Sequence, residues 1–180
     1  KNSSMTRHQW WNPDCGGEIT IDERDASEEI GRLLRDSVSL QMQSDVPIAA
    51  YLSGGIDSSS VVALMSEQSS EPVKTFTLIY HDIHSNKRAD QEAANRIAEI
   101  YKTDHHECLV TYHDLPQRLD SILDAFDEPF SGVISTYFLT EEIGRHVKVA
   151  LSGDGADELF GSYLPHRLAQ PLAAYNRLTN

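Results

Sequence analysis

The segment at 53–58, SGGIDS, has the residue types and spacing of a loop that could bind phosphate. Its glycines allow positive φ values and let successive backbone N–H groups approach a ligand closely. Ser53 and Ser58 add hydroxyl donors, and a helix starting here would add free N–H groups and the positive end of its dipole. The same residues could instead form a plain strand-to-helix turn in which serine and aspartate cap the helix. The segment by itself leaves both interpretations open.

Two other kinds of glycine-rich catalytic loop are disfavoured by the residues at this position. A loop of the GxxxxGK[ST] type needs a lysine, and the segment 53–58 contains none. A nucleophile elbow needs GxSxG, which the segment does not offer. Neither lysine-assisted phosphate binding nor acyl-serine chemistry is therefore expected here.

Apolar runs alternate with helical patterns along the rest of the chain. Strands are predicted at 46–52, 73–80, 106–110 and 147–151, and helices at 25–44, 58–68, 89–102, 115–126 and 134–146. This alternation indicates an α/β fold with a parallel sheet sandwiched by helices. Ligands of such folds bind beyond the carboxyl ends of the strands, where the strand order reverses. The glycine-rich segments 53–58 and 152–157 each follow a strand and so fall at that edge.

Length and composition agree with one domain preceded by a lead-in. Residues 1–24 show no sustained period, so we expect a linker-like lead-in there and the domain at 25–180. The net charge of −13 disfavours binding to nucleic acid or to anionic membranes, although backbone N–H groups can still bind a small phosphate ligand. Cys15 and Cys108 lie outside any CxxC pattern, and no apolar run approaches membrane-spanning length. A reducing, cytoplasmic setting is expected.

The chain has eight histidines, which raises the question of a metal site. His105 and His106 are neighbours on a predicted strand and should point to opposite faces, so they cannot easily share an ion. We therefore expect surface or packing roles for these two residues and for His81 and His84, rather than a zinc site.

Two long motifs resemble those of one enzyme family. SGGIDS resembles the pyrophosphate-binding loop of enzymes that split ATP between the α and β phosphates, and LSGDGADELFGSY at 151–163 resembles the second signature of the asparagine synthetase family. Shorter matches follow in family order: SDVPIAAYLSGGIDSS at 44–59, VKTFTL at 73–78, TDHHE at 103–107, DEPF at 127–130 and HVKVALSGDGADELFG at 146–161. The resemblance covers residues 25–163. It implies the Rossmann-like fold of the PP-loop ATP pyrophosphatases, also called adenine-nucleotide alpha-hydrolase-like.

The resemblance implies a reaction as well as a fold. In that family a carboxylate, most often the side chain of aspartate, attacks the α phosphate of ATP and releases pyrophosphate. Ammonia from a glutamine-hydrolysing domain then displaces AMP to form an amide. ATP and Mg²⁺ are the implied cofactors, a small carboxylate is the implied partner, and a homodimer is the implied assembly.

The family's site residues map onto this chain by motif position. The implied ATP-binding residues are Leu52, Ser53, Gly54, Gly55, Asp57, Ser58, Leu78, Ser152 and Gly153. Asp57 and Asp157 are the implied Mg²⁺ ligands, and Asp154 and Asp157 the implied catalytic residues. Asp127 and Glu128 are implied on the substrate side. Simpler roles stay open: Asp157 and Glu158 could serve a helix N-terminus, and Asp127 and Glu128 could end a helix before Pro129.

The chain departs from the family pattern in several places. It has no N-terminal catalytic cysteine or glutaminase domain, and it ends at Asn180, so we expect a fragment whose synthetase domain is incomplete at the C-terminus. Such a fragment should bind ATP and Mg²⁺ weakly and should not carry out glutamine-dependent amidation. Asp154 stands where glutamate is frequent, and Ala89-Asp90-Gln91 replaces DES. A related amidotransferase or cyclase acting on another carboxylate, and an ATP-binding module without catalysis, are the alternative functions.

Overall fold

The computed structural model describes residues 5–12, 17, 19–80, 86–110, 113, 115–128 and 132–179. The helices are α1 (Glu23–Gln41), α2 (Ile56–Gln68), α3 (Asn86–Tyr101), α4 (Leu115–Asp124), α5 (Val133–His146), α6 (Ala156–Phe160) and α7 (Leu164–Thr179). The strands are β1 (Ile48–Tyr51), β2 (Lys74–Tyr80), β3 (Asp104–Val110) and β4 (Val149–Leu151).

The chain divides into two compact units, residues 1–34 and residues 35–180. In the first unit, the Asp22 carboxylate accepts a hydrogen bond from the backbone N–H of Asp25 at 2.9 Å, which satisfies a free donor at the start of α1. Ion pairs one turn apart, such as Arg24 with Glu28 at 3.0 Å, follow along the exposed surface of the helix. The second unit contains the sheet.

The four strands form one sheet in the order β3-β2-β1-β4, and every neighbouring pair is parallel. Ala49 of β1 lies opposite Lys74 of β2 on one side and opposite Ala150 of β4 on the other. The chain runs outward from β1 to β3 and then returns to the other side of β1. The strand order therefore reverses at β1, which confirms the predicted parallel α/β fold and places the reversal where the glycine-rich segments begin.

An apolar core covers each face of the sheet. Successive residues of β1 point to opposite faces, so this strand contributes to both cores. Ala50 and Leu52 belong to a core shared with α2 and α3, whose members are Val38, Ala50, Leu52, Val62, Met65, Val73, Ala94, Ala98 and Leu151. Ala49 belongs to a second core with Phe76, Ile143 and Val147, and α5 supplies the covering helix. The small alanine side chains of β1 let helices pack closely on either side.

Every predicted element forms, and its ends lie within three residues of the predicted ones. β3 is a full seven-residue strand paired along its length with β2, and α3 begins at Asn86 rather than at 89. The sequence patterns did not predict α7 at all. Proline at the second position of α7 is compatible with a helix start, but Pro171 lies in its interior, where proline removes a backbone donor.

Candidate active site

The segment 53–58, named here the first loop, joins β1 to α2 and is fixed by its own serines. The Ser58 hydroxyl lies 2.8 Å from the Ser53 hydroxyl and accepts the Ser53 backbone N–H at 3.1 Å. Ser58 is buried, at 6% exposure, so these bonds form where water competes little. Gly54 has a φ of 80°, the positive value expected from the sequence.

Gly54 also packs directly against α3. A Cβ atom at this position would lie 2.5 Å from the carbonyl oxygen of Asp90 and 2.8 Å from the backbone nitrogen of Ala94. Both neighbours are backbone atoms that cannot turn aside. The first loop therefore needs glycine here for two separate reasons, its backbone conformation and its close contact with α3.

The N-terminus of α2 is not capped by a side chain of the described residues. Gly55 is the N-cap residue and makes no side-chain cap hydrogen bond, because the serine hydroxyls of the first loop bond to each other and to the backbone of the loop. The segment does join a strand to a helix, but no serine or aspartate side chain caps that helix, so the capping interpretation is wrong. Free N–H groups at a helix start are suited to binding an anion.

The segment 152–158, named here the second loop, follows β4 and meets the first loop at Gly153. A Cβ atom on Gly153 would lie 2.7 Å from the backbone nitrogen of Ser58 and 2.8 Å from the backbone carbonyl carbon of Asp57. Gly153 thus packs on the first turn of α2. The two glycine-rich segments that the sequence placed at one edge of the sheet are in contact with each other.

The acidic residues of the second loop lie close to the start of α6. Gly155 is the N-cap residue of α6 without a side-chain cap, and Asp157 and Glu158 lie in its first turn. The Ser162 hydroxyl donates a hydrogen bond to the Asp157 carboxylate, and the Tyr163 hydroxyl donates one to Glu158 at 3.0 Å. That bond to Glu158 is the main cause of the raised pKa of Tyr163. Asp154 is exposed, and its N–H donates to the Ser152 hydroxyl at 3.4 Å.

Asp57 and Asp157 are the two residues that are predicted to bind Mg²⁺. Asp57 lies in the first turn of α2 and Asp157 in the first turn of α6, both half-buried. Within the described residues, no group of three or more histidine, cysteine, aspartate or glutamate side chains is arranged to hold a metal ion. Mg²⁺ commonly binds one or two carboxylates together with substrate phosphates and water, so two carboxylates suit its chemistry.

A cavity of about 190 Å³ opens at the carboxyl ends of β1 and β2. Three predicted ATP-binding residues line it: Leu52, Ser53 and Leu78. The other lining residues are Tyr51, Phe76, Thr77, Tyr80, Asp90, Gln91 and Leu139. Apolar and aromatic walls with a few polar groups are typical of a small-molecule binding site.

The aromatic wall of this cavity is tied to α5. The Tyr80 hydroxyl lies 2.5 Å from the Ser135 hydroxyl, and the Tyr51 hydroxyl lies 3.3 Å from that of Thr140. Sequence reasoning missed these tyrosines and Phe76. Part of this wall could be predicted from the alternation of side chains along β2. Phe76 and Tyr80 are each two positions from Leu78 and therefore lie on its face of the strand.

Ten of the 13 predicted site residues are not among those that line the cavity. Ser152 and Gly153 are not among its lining residues, since β4 pairs with the side of β1 away from β2. Asp127 and Glu128 follow α4 as exposed residues and do not line the cavity either. Pro129, the possible helix stop after these two residues, lies outside the described residues.

The neighbouring histidines of β3 point to opposite faces, as predicted. The His105 Nδ1 atom lies 2.8 Å from the Thr75 hydroxyl on the α3 side. His106 stacks on Phe76 with ring centroids 4.9 Å apart on the α5 side, and the His146 ring lies 4.6 Å from the His106 ring. These are packing roles. His81 and His84 lie outside the described residues.

No described helix combines the length and the apolar character needed to cross a lipid bilayer. The candidate site belongs to a parallel α/β fold. Its two glycine-rich loops meet where the strand order reverses, next to the cavity. Folds of this kind bind their ligands at that edge.

The sequence profile described as asparagine synthase matches residues 29–179. The chain belongs to the asparagine synthase family. It is 36% identical over 162 residues to an asparagine synthetase (glutamine-hydrolysing) homologue of Methanocaldococcus jannaschii, covering 88% of this chain and 30% of that protein. It is 32% identical over 162 residues to an asparagine synthetase (glutamine-hydrolysing) of Bacillus subtilis, covering 89% of this chain and 25% of that protein.

The chain therefore spans about a quarter to a third of the length of the curated relatives it matches, at 30% and 25% for these two. Among solved structures, the NH₃-dependent NAD synthetase of Campylobacter jejuni aligns with a TM-score of 0.47 at 17% identity, covering 79% of this chain and 61% of that chain.

Proposed function

We propose that this chain is the ATP-using part of an asparagine synthetase-like enzyme. In the proposed reaction the side-chain carboxylate of aspartate attacks the α phosphate of ATP, which forms an acyl-adenylate and releases pyrophosphate. Ammonia then attacks the acyl carbon, AMP leaves, and the product is asparagine. The ammonia comes from a glutamine-hydrolysing domain, the enzyme works in the cytoplasm, and a homodimer is the expected assembly.

The contact between Gly153 and the first turn of α2 is the main structural observation that supports this proposal. It joins the first loop, whose uncapped helix start suits pyrophosphate, to the second loop, which brings Asp154 and Asp157. Membership of the asparagine synthase family makes an ATP-dependent amide-forming reaction the best-supported use of this pair of loops.

Each loop has a separate role in the proposed site. The backbone N–H groups of the first turn of α2, with the hydroxyls of Ser53 and Ser58, bind the phosphates that leave as pyrophosphate. Leu52 and Leu78 contact the adenosine in the cavity. On the second loop, we assign to the exposed Asp154 the role of orienting ammonia or of accepting the proton that it loses.

Asp57 and Asp157 would hold Mg²⁺, which neutralises phosphate charge when it is bound. Asp157 already accepts a hydrogen bond from Ser162, which fixes its side chain at the start of α6. Asp127 and Glu128 are proposed on the substrate side, where the family motif places them.

A different carboxylate substrate is the second candidate, and one observation favours considering it. Asp154, which stands where glutamate is frequent in the family, is exposed on the second loop and is not among the residues that line the cavity assigned to adenosine. A change of residue type beside the reacting acid is a direct way to alter which acid fits. The nucleotide chemistry would be unchanged, and only the acid that is activated would differ.

The decisive experiment is ATP–pyrophosphate exchange by purified protein supplied with Mg²⁺ and aspartate. Aspartate-dependent exchange is expected, and Asp57→Asn should lower it about 100-fold, since it removes charge at the phosphate site. Asp45→Asn, an exposed position before β1, is the matched control and should leave the rate unchanged. Exchange with another carboxylate only would support the second candidate, and ATP binding without exchange would contradict both.

A further inference from the structure

Glu107 of β3 lies outside the proposed site but is connected to it through α3. Its carboxylate oxygen Oε1 accepts hydrogen bonds from the Gln91 side chain at 2.8 Å and from the Asn95 side chain at 3.1 Å. These two residues are one helical turn apart on α3, so one carboxylate holds two successive turns of that helix. The two bonds keep the carboxylate ionised and lower the pKa of Glu107.

The part of α3 that Glu107 holds is the part that touches the first loop. The backbone atoms of Asp90 and Ala94, which lie nearest to Gly54, belong to the same two turns as Gln91 and Asn95. Gln91 and Asp90 also line the cavity at the carboxyl ends of β1 and β2. A shift of these turns by a few tenths of an ångström would therefore move both Gly54 and a cavity wall.

We propose that Glu107 is a positioning residue, which acts through Gln91 and Asn95 to hold α3 against the first loop and so sets the shape of the ATP site. This inference rests on the proposed function for its consequence in nucleotide affinity. Its structural part, the coupling of Glu107 to Gly54, stands independently.

The test compares three variants of the chain. Glu107→Ala removes the acceptor for both hydrogen bonds, whereas Glu107→Gln keeps an acceptor oxygen in the same place. Glu99→Ala changes an exposed glutamate of α3 that lies about one turn beyond Asn95, and it is the matched control. Two quantities are measured well below the unfolding temperature: the amide resonances of Gly54 and Gly55 in nucleotide-free protein, and the Kd for ATP with Mg²⁺.

Glu107→Ala is expected to shift both glycine amides and to raise the Kd about fivefold, a modest effect because the bonds are partly exposed to water. Glu107→Gln should restore the Kd to within about twofold, and Glu99→Ala should change neither quantity. Asn95→Leu, which removes a donor instead of the acceptor and does not change a lining residue of the cavity, gives the same test if Glu107→Ala does not fold.

Two results would overturn the inference. One is that the Gly54 and Gly55 amides stay in place in Glu107→Ala. The other is that the Kd stays unchanged while the parent chain binds ATP. If the parent chain binds no ATP, the proposed function is wrong, and the amide resonances alone still decide whether Glu107 positions the first loop.

Discussion

The two glycine-rich loops have similar sequences but are held in very different ways. The first loop has contacts on three sides: its own buried serines, the backbone of α3 against Gly54, and the second loop against the first turn of α2. The second loop contacts a neighbouring element through Gly153, whereas a Cβ atom on its Gly155 would meet no atom within 4 Å. It leads into a helix of five residues, while the first loop leads into one of 13.

This difference indicates that the two loops suit different kinds of contact with a ligand. A rigid loop is suited to a ligand that is always the same, such as a phosphate group, because its donors must be held in place before binding. The open space around Gly155 leaves the second loop more room to adjust when a molecule binds. The glycines of the two loops should therefore respond differently to the same substitution.

The largest effect is expected for Gly54→Ala. Alanine at a φ of 80° is strained, and its methyl group would overlap backbone atoms of α3, so we expect a loss of about 3 kcal/mol in the free energy of unfolding. ATP binding should be lost as well. Urea denaturation measures the first quantity. Gly144→Ala in α5, where a Cβ atom meets nothing within 4 Å, should be neutral or slightly stabilising.

Gly153→Ala should have the next largest effect, a loss of about 2 kcal/mol in the free energy of unfolding, because its methyl group overlaps the backbone at the start of α2 without requiring an unusual φ.

Gly155→Ala makes the opposite change. Its φ of 96° is strained for alanine but its surroundings are open, so a loss of about 1 kcal/mol in the free energy of unfolding is expected. The same denaturation series ranks the three. If Gly155→Ala were as damaging as Gly54→Ala, the second loop would be as tightly held as the first.

Sequence patterns predicted the positions of both loops because each loop follows a short apolar strand, and because parallel strands end at one edge of a sheet. They also placed His105 and His106 on opposite faces, since that depends only on the period of a strand. They did not reveal that Gly153 touches the first turn of α2. That contact depends on strand order, which local periodicity does not determine.

The missed features depend on contacts between distant parts of the chain. Glu107 and Gln91 are 16 positions apart, and Tyr80 and Ser135 are 55 apart. Nothing in the residues near either partner indicates such a pair. α7 was missed for a local reason, because Pro171 stands in its interior and argues against a helix there.

The serines of the two loops give a third test of the comparison. Ser58→Ala removes the acceptor of the Ser53 N–H and one half of the pair of buried hydroxyls, so a loss of about 1.5 kcal/mol is expected in the free energy of unfolding. Ser152→Ala removes a single long bond of 3.4 Å to Asp154 and should change stability by less than about 0.5 kcal/mol. Equal effects would show that the hydroxyl pair does not stabilise the first loop.

The smallest effect expected is a pH dependence on the side of the sheet that supports the first loop. Burial is the main cause that lowers the pKa of His105 below its usual 6.5; His106 lowers it further, and Glu107 opposes the shift. The His105 Nδ1 atom lies near the hydroxyl of Thr75, which is fully buried, and its buried Nε2 atom has no hydrogen-bond partner among the described residues.

The neutral ring is therefore favoured in the folded chain, and its contribution to stability is complete above pH 6.5 and falls as the pH drops below that value. The carboxylates with lowered pKa values, Glu29, Asp104, Glu107 and Glu141, lose their contributions only below their unfolded values of 3.8 to 4.5, so they do not act in this window. Thermal unfolding at several pH values between about 7.5 and 5.5 should show a falling Tm, with a smaller fall in His105→Gln. Equal slopes in the parent chain and in His105→Gln would mean that this histidine can take up a proton without disturbing the packing of α3 over β3.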